Sequence, residues 1–224
     1  MAERLVMVYS RFNRIWHWSQ AVSIFLLLFS GARIMGLHGA MPFGLAVTVH
    51  TGVALALVLL WVVVIFWLLT TGTWKQFIPT IAGLGEVARF YAWGVFKGEE
   101  HPYRKRLGRR LNPLQAIAYF ALKAVLIPAI WVTGLVYLVH GFWSHLDPGD
   151  FWLWLVANLH ILTGFAIASF VVVHVYLLTI GHSFREHVRP MINGFEKIDL
   201  TPEQEAYLEA NEPERLHREL RNGP

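Results

Sequence analysis

The chain contains no cysteine. That excludes disulfides, thiolate zinc sites, iron–sulfur clusters and the covalent C-x-x-C-H attachment of c-type haem. Any haem held here is non-covalent and rests on other ligands. Charge is scarce too: 15% of the 224 residues are Asp, Glu, Lys or Arg, against about 25% in soluble domains. Apolar residues fill the difference. They make up 55% of the chain and gather in runs long enough to cross a bilayer. The first run carries no small-residue cleavage site, so it reads as a span and not as a cleaved leader. The formal charge of +4 would suggest nucleic acid in a soluble protein, but the placement of the basic residues explains it better. No nucleic-acid partner is expected.

Four spans are expected, over residues 15–35, 45–69, 113–139 and 151–180. All of the 19 Lys and Arg residues except Arg33 and Lys123 lie in three places: before the first span, in the loop 70–112, and after the fourth span. The short connections GLHGAMPFG and HGFWSHLDPGD contain none. The positive-inside rule puts both termini and the long loop in the cytoplasm. The organisation is thus a cytoplasmic N-terminus (1–14), an all-α four-helix membrane domain (15–182) and a cytoplasmic tail (183–224). Trp143, Trp152 and Trp154 at the outer end, and Trp16, Trp18 and Trp74 at the inner, suit aromatic belts in contact with lipid.

The loop 70–112 is long for a bundle connection. Its stretch WKQFIPTIAGLGEVARFYAWGVFKG predicts one or two interfacial helices. The run HPYRKRLGRR either sets orientation against anionic lipid or docks a partner. In the tail, Thr201-Pro202 with Glu203 and Glu205 predicts a helix start, so the tail is a short surface helix or a partly disordered end.

Four histidines lie inside the spans. Ionisable residues there are costly and usually functional, although a lone one often bonds a carbonyl on a neighbouring helix. His160 and His174 are fourteen residues apart, which is about four turns, so both leave one helix face about 21 Å apart. His17 follows Arg14 and lies toward the inner side, like His174. His50 enters its span from the outer side, like His160. The depth pairing is therefore His17 with His174 and His50 with His160. Each pair suits two imidazoles on opposite faces of one porphyrin, giving two b-type haems with six-coordinate iron suited to outer-sphere electron transfer.

Other residues carry open alternatives. Gly31, fourteen after His17, leaves room for the outer macrocycle or serves helix packing, and Gly52 and Gly164 near the outer histidines allow the same two readings. Arg33 pairs with a propionate of the outer haem or snorkels to the headgroups. Lys123, ten residues into the third span, faces the bundle interior or snorkels, with no one role favoured. His38, His140 and His145, with Asp147 and Asp150, form a metal or protonation site or are wetted loop residues. His182 lies at the inner end.

RIWHW (14–18), NPLQ (112–115), the TG at 133–134, GHSFREHV (181–188) and MINGFE (191–196) together resemble the bacterial di-haem cytochrome b family. That family includes b-type subunits of nickel–iron hydrogenases, gamma subunits of formate dehydrogenases and thiosulfate reductase cytochrome b subunits. The resemblance runs from about Arg11 to Lys197. It implies a four-helix core in the bacterial inner membrane with two haems b, whose ligands fall on His17, His50, His160 and His174. It also implies a menaquinone or ubiquinone near the inner haem. Formate dehydrogenase gamma subunits place an N-x-x-Q pattern there, matched by Asn112 and Gln115, while Pro113 and Leu114 between them differ. Arg14 and His182 lie at the same inner surface. Asn112 has a second reading, as the cap of the third span.

The resulting expectation is a membrane subunit of a respiratory complex, moving electrons between the quinone pool and a periplasmic partner. Candidate partners are a multihaem cytochrome c, an iron–sulfur subunit, a hydrogenase or a molybdenum enzyme. The alternative is a stand-alone cytochrome b561-like quinone oxidoreductase, for example one oxidising superoxide. Neither the direction of flow nor the terminal substrate is written in the residues.

Overall fold

The computed structural model describes residues 2–99, 102–103, 111–147, 150–179 and 184–216. Strand β1 (Ala2–Met7) leads into helix α1 (Arg11–Ile34), followed by α2 (Phe43–Thr71) and the short α3 (Leu84–Ala92). The third span is built from α4 (Pro113–Ala121), a π-helical turn at Leu122–Leu126 and α5 (Ile127–Leu138). Then come α6 (His140–Trp143), α7 (Phe151–Leu177), α8 (Phe184–Asn193), strand β2 (Phe195–Leu200) and α9 (Pro202–Asn211).

Among the described residues, four segments are long and apolar enough to cross a membrane: Arg11–Ile34, Phe43–Thr71, Pro113–Leu138 and Phe151–Leu177. Each exceeds the roughly 20 residues a bilayer requires. Their large apolar side chains stay exposed: Leu59 and Phe66 are each 69% exposed, Val172 68% and Leu162 66%. Helices apolar all round need an apolar solvent on their outer faces. The protein is therefore a multi-pass membrane protein.

Local chemistry sets the span ends. Ser10 caps α1: its hydroxyl accepts from Asn13 N at 3.2 Å, so the helix starts at Arg11, four residues before the expected Ile15. It closes in a Schellman turn, with Leu37 N donating to Ala32 O (2.9 Å), Gly36 N to Arg33 O (3.0 Å) and Gly36 at φ 79. Asp147 begins α7 by accepting from Trp152 N at 3.1 Å and Leu153 N at 2.9 Å. In the third span Pro128 offers no N–H to the carbonyl four residues back and its ring crowds that carbonyl. The π turn immediately before α5 absorbs the mismatch, and Lys123 sits in that turn.

The described residues divide into two compact units. One comprises Met1–Val22, Val64–Ala116 and Leu178–Pro224. It holds an element absent from the sequence expectation: β1 and β2 pair antiparallel, Ala2 opposite Leu200 through Met7 opposite Phe195. Val6, Val8, Ile198, Leu200 and Leu208 are buried together. The expected helix start is present as a capping box, with Thr201 Oγ1 accepting from Gln204 N and Gln204 Oε1 accepting from Thr201 N. The tail thus carries α8, β2 and α9 in turn, and residues 1–14 include a strand. In the loop, α3 buries Val87 and Phe90, and 3-10 turns occupy Thr73–Phe77 and Gly94–Lys97. The basic run HPYRKRLGRR lies largely outside the described residues.

A two-stranded sheet is marginal by itself, so α9 must hold this one through Leu208, which is fully buried. Leu208→Ala is expected to cost about 2–5 kcal/mol of local stability. Limited proteolysis should then cut the C-terminal segment faster while the spans remain intact. An unchanged cleavage rate would show that Leu208 does not hold the sheet.

The second unit comprises Ser23–Val63 and Ile117–Leu177. Trp61, 4% exposed, packs edge-on against Trp131 with ring centroids 5.9 Å apart, and α5 packs along α7.

Candidate functional site

Within the second unit, α2 presents His50 and α7 presents His160, their ring centroids 6.2 Å apart and their planes at 72°. Each ring stands against a hydroxyl–glycine dipeptide on another span. Ser30 Oγ lies 3.0 Å from His50 Nδ1, and Thr133 Oγ1 lies 3.2 Å from His160 Nδ1. The neighbouring glycines explain how the rings come so close. A Cβ at Gly31 would stand 3.2 Å from His50 Cε1, and one at Gly134 would stand 3.0 Å from His160 Cε1. Gly31 therefore leaves room for the His50 imidazole, alongside the two expected readings of room for a macrocycle or helix packing. At Gly52 and Gly164 an added Cβ would meet nothing within 4 Å.

His174, on α7, has its Nδ1 3.2 Å from Tyr119 Oη and its ring parallel to Phe170 at 6.1 Å. His17 is carried by the α1 residues of the other unit. In that unit the residues around His17 form a clamp: Trp18 Nε1 donates to Met191 O at 3.0 Å, and Arg14 Nη1 donates to Ile192 O. The RIWHW and MINGFE motifs thus meet. Arg14 Nε is buried and has no hydrogen-bond partner among the described residues.

Asn112 and Gln115 form a capping box at the start of α4. Asn112 Oδ1 accepts from Gln115 N at 2.8 Å, and Gln115 Oε1 accepts from Asn112 N at 3.2 Å. The Asn112 amide also donates to Tyr91 Oη at 3.2 Å. Burial pushes the Tyr91 phenol above its ordinary pKa, and the Asn112 bond pulls it partly back. His182 lies outside the described residues.

Two comparisons bear on this arrangement. The family described as prokaryotic cytochrome b561 matches residues 8–194. The chain belongs to that family. It is also 30% identical over 198 residues to the "Putative cytochrome YdhU" of Escherichia coli (strain K12), covering 86% of this chain and 75% of that one. No solved structure matches. The chain is a cytochrome b561-like membrane cytochrome of b type, and its class of chemistry is electron transfer. The family implies haem b.

His50 and His160 of this b561-family chain fit that group. Two imidazoles on one metal hold their centroids about 6 Å apart, from bonds of about 2.0 Å and about 1.1 Å from each nitrogen to its ring centre. The His50–His160 separation of 6.2 Å agrees. Both rings also have Nδ1 turned to a hydroxyl, which leaves Nε2 for the metal.

The remaining polar groups have more local occupations. Arg33 Nε donates to Met41 O at 2.7 Å and its guanidinium lies over Phe43, so it braces the connection between α1 and α2. His38 is also structural: its Nε2 donates to Phe29 O at 2.9 Å, its Nδ1 accepts from Ala40 N at 3.2 Å, and it stacks on Phe29. The outer cluster contracts to His140, Asp147 and Asp150, whose ligand atoms lie within 4.8 Å of one another. His145 is exposed. Sequence reasoning gave no role to Ser30, Thr133 or Tyr119. One signal was available, since Tyr119 and Thr133 are separated by the same fourteen residues as His160 and His174.

Proposed function

We propose that the chain is a di-haem cytochrome b subunit that carries electrons across the bacterial inner membrane, with both termini and the loop 70–112 cytoplasmic. His50 and His160 hold one haem b, and His17 and His174 the other. When bound, the two groups supply reversible one-electron exchange. The carrying observation is the facing pair His50 and His160, each fixed at Nδ1 and open at Nε2. His174, about 21 Å along α7 at 1.5 Å per residue, has Tyr119 Oη 3.2 Å from its Nδ1.

Quinone is the proposed membrane-soluble reactant, taken near Arg14, Asn112, Gln115 and His182. The unused Arg14 Nε supports this reading, because a buried guanidinium donor calls for an acceptor and a quinone carbonyl is one. Asn112 contributes less than its motif suggests, since its carbonyl and amide are both engaged. A periplasmic redox subunit is the proposed partner at the opposite face.

Pyridine haemochrome assay of the purified protein is expected to give two haems b per chain. A menaquinol analogue should reduce them without dithionite. Folded protein lacking haem would overturn the reading. Haems reducible by dithionite but not by quinol would remove the quinone from it.

A further inference from the structure

The third span carries no proposed metal ligand, yet it serves both histidines of α7. Tyr119 and Thr133 are fourteen residues apart, as are His160 and His174. Because the two segments run antiparallel, the spacings match: Tyr119 Oη meets His174 Nδ1 and Thr133 Oγ1 meets His160 Nδ1, both at 3.2 Å. Ser30 on α1 does the same for His50 at 3.0 Å.

The direction of two of these bonds follows from the hydroxyl proton. Ser30 Oγ donates to Leu26 O at 2.7 Å, and Thr133 Oγ1 donates to Ala129 O at 2.6 Å. A hydroxyl has one proton, so toward the imidazoles both oxygens accept. His50 and His160 therefore donate from Nδ1, and Nε2 is the bare nitrogen on each ring.

We infer that Ser30 and Thr133 are positioning residues that fix the metal-binding tautomer of His50 and His160 and lower the potential of the haem those histidines hold. The inference rests on the proposed ligand set. An imidazole that donates from Nδ1 is a more basic ligand. It stabilises oxidised iron more than reduced iron, so the potential falls. Two hydroxyls act on the His50/His160 haem, so the shifts are specific to that haem.

The test is redox titration of the full-length protein, wild type against Ser30→Ala, Thr133→Val and Tyr119→Phe, with low-temperature EPR of the ferric haems. Ser30→Ala and Thr133→Val are each expected to shift one reduction equilibrium two- to tenfold toward the reduced form, tenfold being about 59 mV for one electron. The other haem stays put. Tyr119→Phe, which removes a hydroxyl that meets His174 and not His50 or His160, leaves the His50/His160 haem where it is. Ser30→Thr and Thr133→Ser restore the wild-type values. Full haem content with unmoved potentials and EPR signals in Ser30→Ala and Thr133→Val would overturn the inference. If Thr133→Val loses a haem, Thr133→Ser decides: wild-type potentials support the hydroxyl, and the same loss assigns Thr133 to packing and overturns its role. Absence of haem from the wild type is a different result, which sinks the ligand reading beneath the inference.

Discussion

Replacing His160 by alanine is expected to remove one of two haems and to leave the other with its wild-type spectrum. His50 and His160 face each other at 6.2 Å, and in the proposed site only a metal between them joins the two rings. Loss of either ring leaves the macrocycle held from one side. His50→Ala should therefore remove the same haem, and the double variant should remove no more. His174→Ala should remove the other. The substitution at 160 is also mild toward the fold. Thr133 keeps its bond to the Ala129 carbonyl at 2.6 Å, so no buried donor is orphaned when the imidazole goes. Haemochrome quantitation with gel filtration separates haem loss from unfolding. A monodisperse His160→Ala protein with two low-spin haems would remove His160 from the ligand set.

The parts of this molecule legible in the sequence are those set by local properties. Length and apolarity mark a span wherever its neighbours lie, so four spans were visible without any tertiary information. Depth is nearly local, because it counts residues from a charged end, and it is what pairs His50 with His160 in the sequence; their ring centroids lie 6.2 Å apart. Helix α1 starts four residues before the hydropathy rise at Ile15, because Ser10 caps it and Arg11 and Arg14 can extend from a helix into headgroups. The β1–β2 pair was missed for another reason. Its six-residue strands are nearly two hundred positions apart, and neither run alone carries enough alternation to declare itself. The hydroxyls that meet the imidazoles are the least legible. Serine and threonine in a span ordinarily bond their own helix carbonyls, and Ser30 and Thr133 do that as well. Only the neighbouring helix shows that their oxygens have a second use. Asn112 shows the reverse: a motif residue whose geometry is that of a helix cap.

Gly134 should prove as intolerant as the histidine it faces. A Cβ built there stands 3.0 Å from His160 Cε1 and 3.4 Å from Nδ1, tighter than ordinary contact. The glycine lies within α5, where the backbone is held by its own hydrogen bonds, so the ring has to yield. Thr133 is the adjacent residue and fixes that ring at Nδ1. Gly134→Ala is thus expected to shift His160 by a few tenths of an ångström, to stretch the Thr133 bond and to raise the potential of the His50/His160 haem. Gly134→Ile adds a branched side chain that a small displacement cannot accommodate, and that haem should be lost. Gly31→Ala, at 3.2 Å from His50 Cε1, should act in the same direction more weakly. Backbone energetics run the other way, since alanine is favoured over glycine in a helix by roughly 0.5–1 kcal/mol. Folding should therefore not suffer in Gly134→Ala while the haem does. Gly44→Ala is the control, because a Cβ there meets nothing within 4 Å, and it should leave both spectra unchanged. A Gly134→Ile protein with two haems at wild-type potentials would mean that the His160 ring does not stand over Gly134 in the loaded protein, and the hydroxyl–glycine cradle would lose its role.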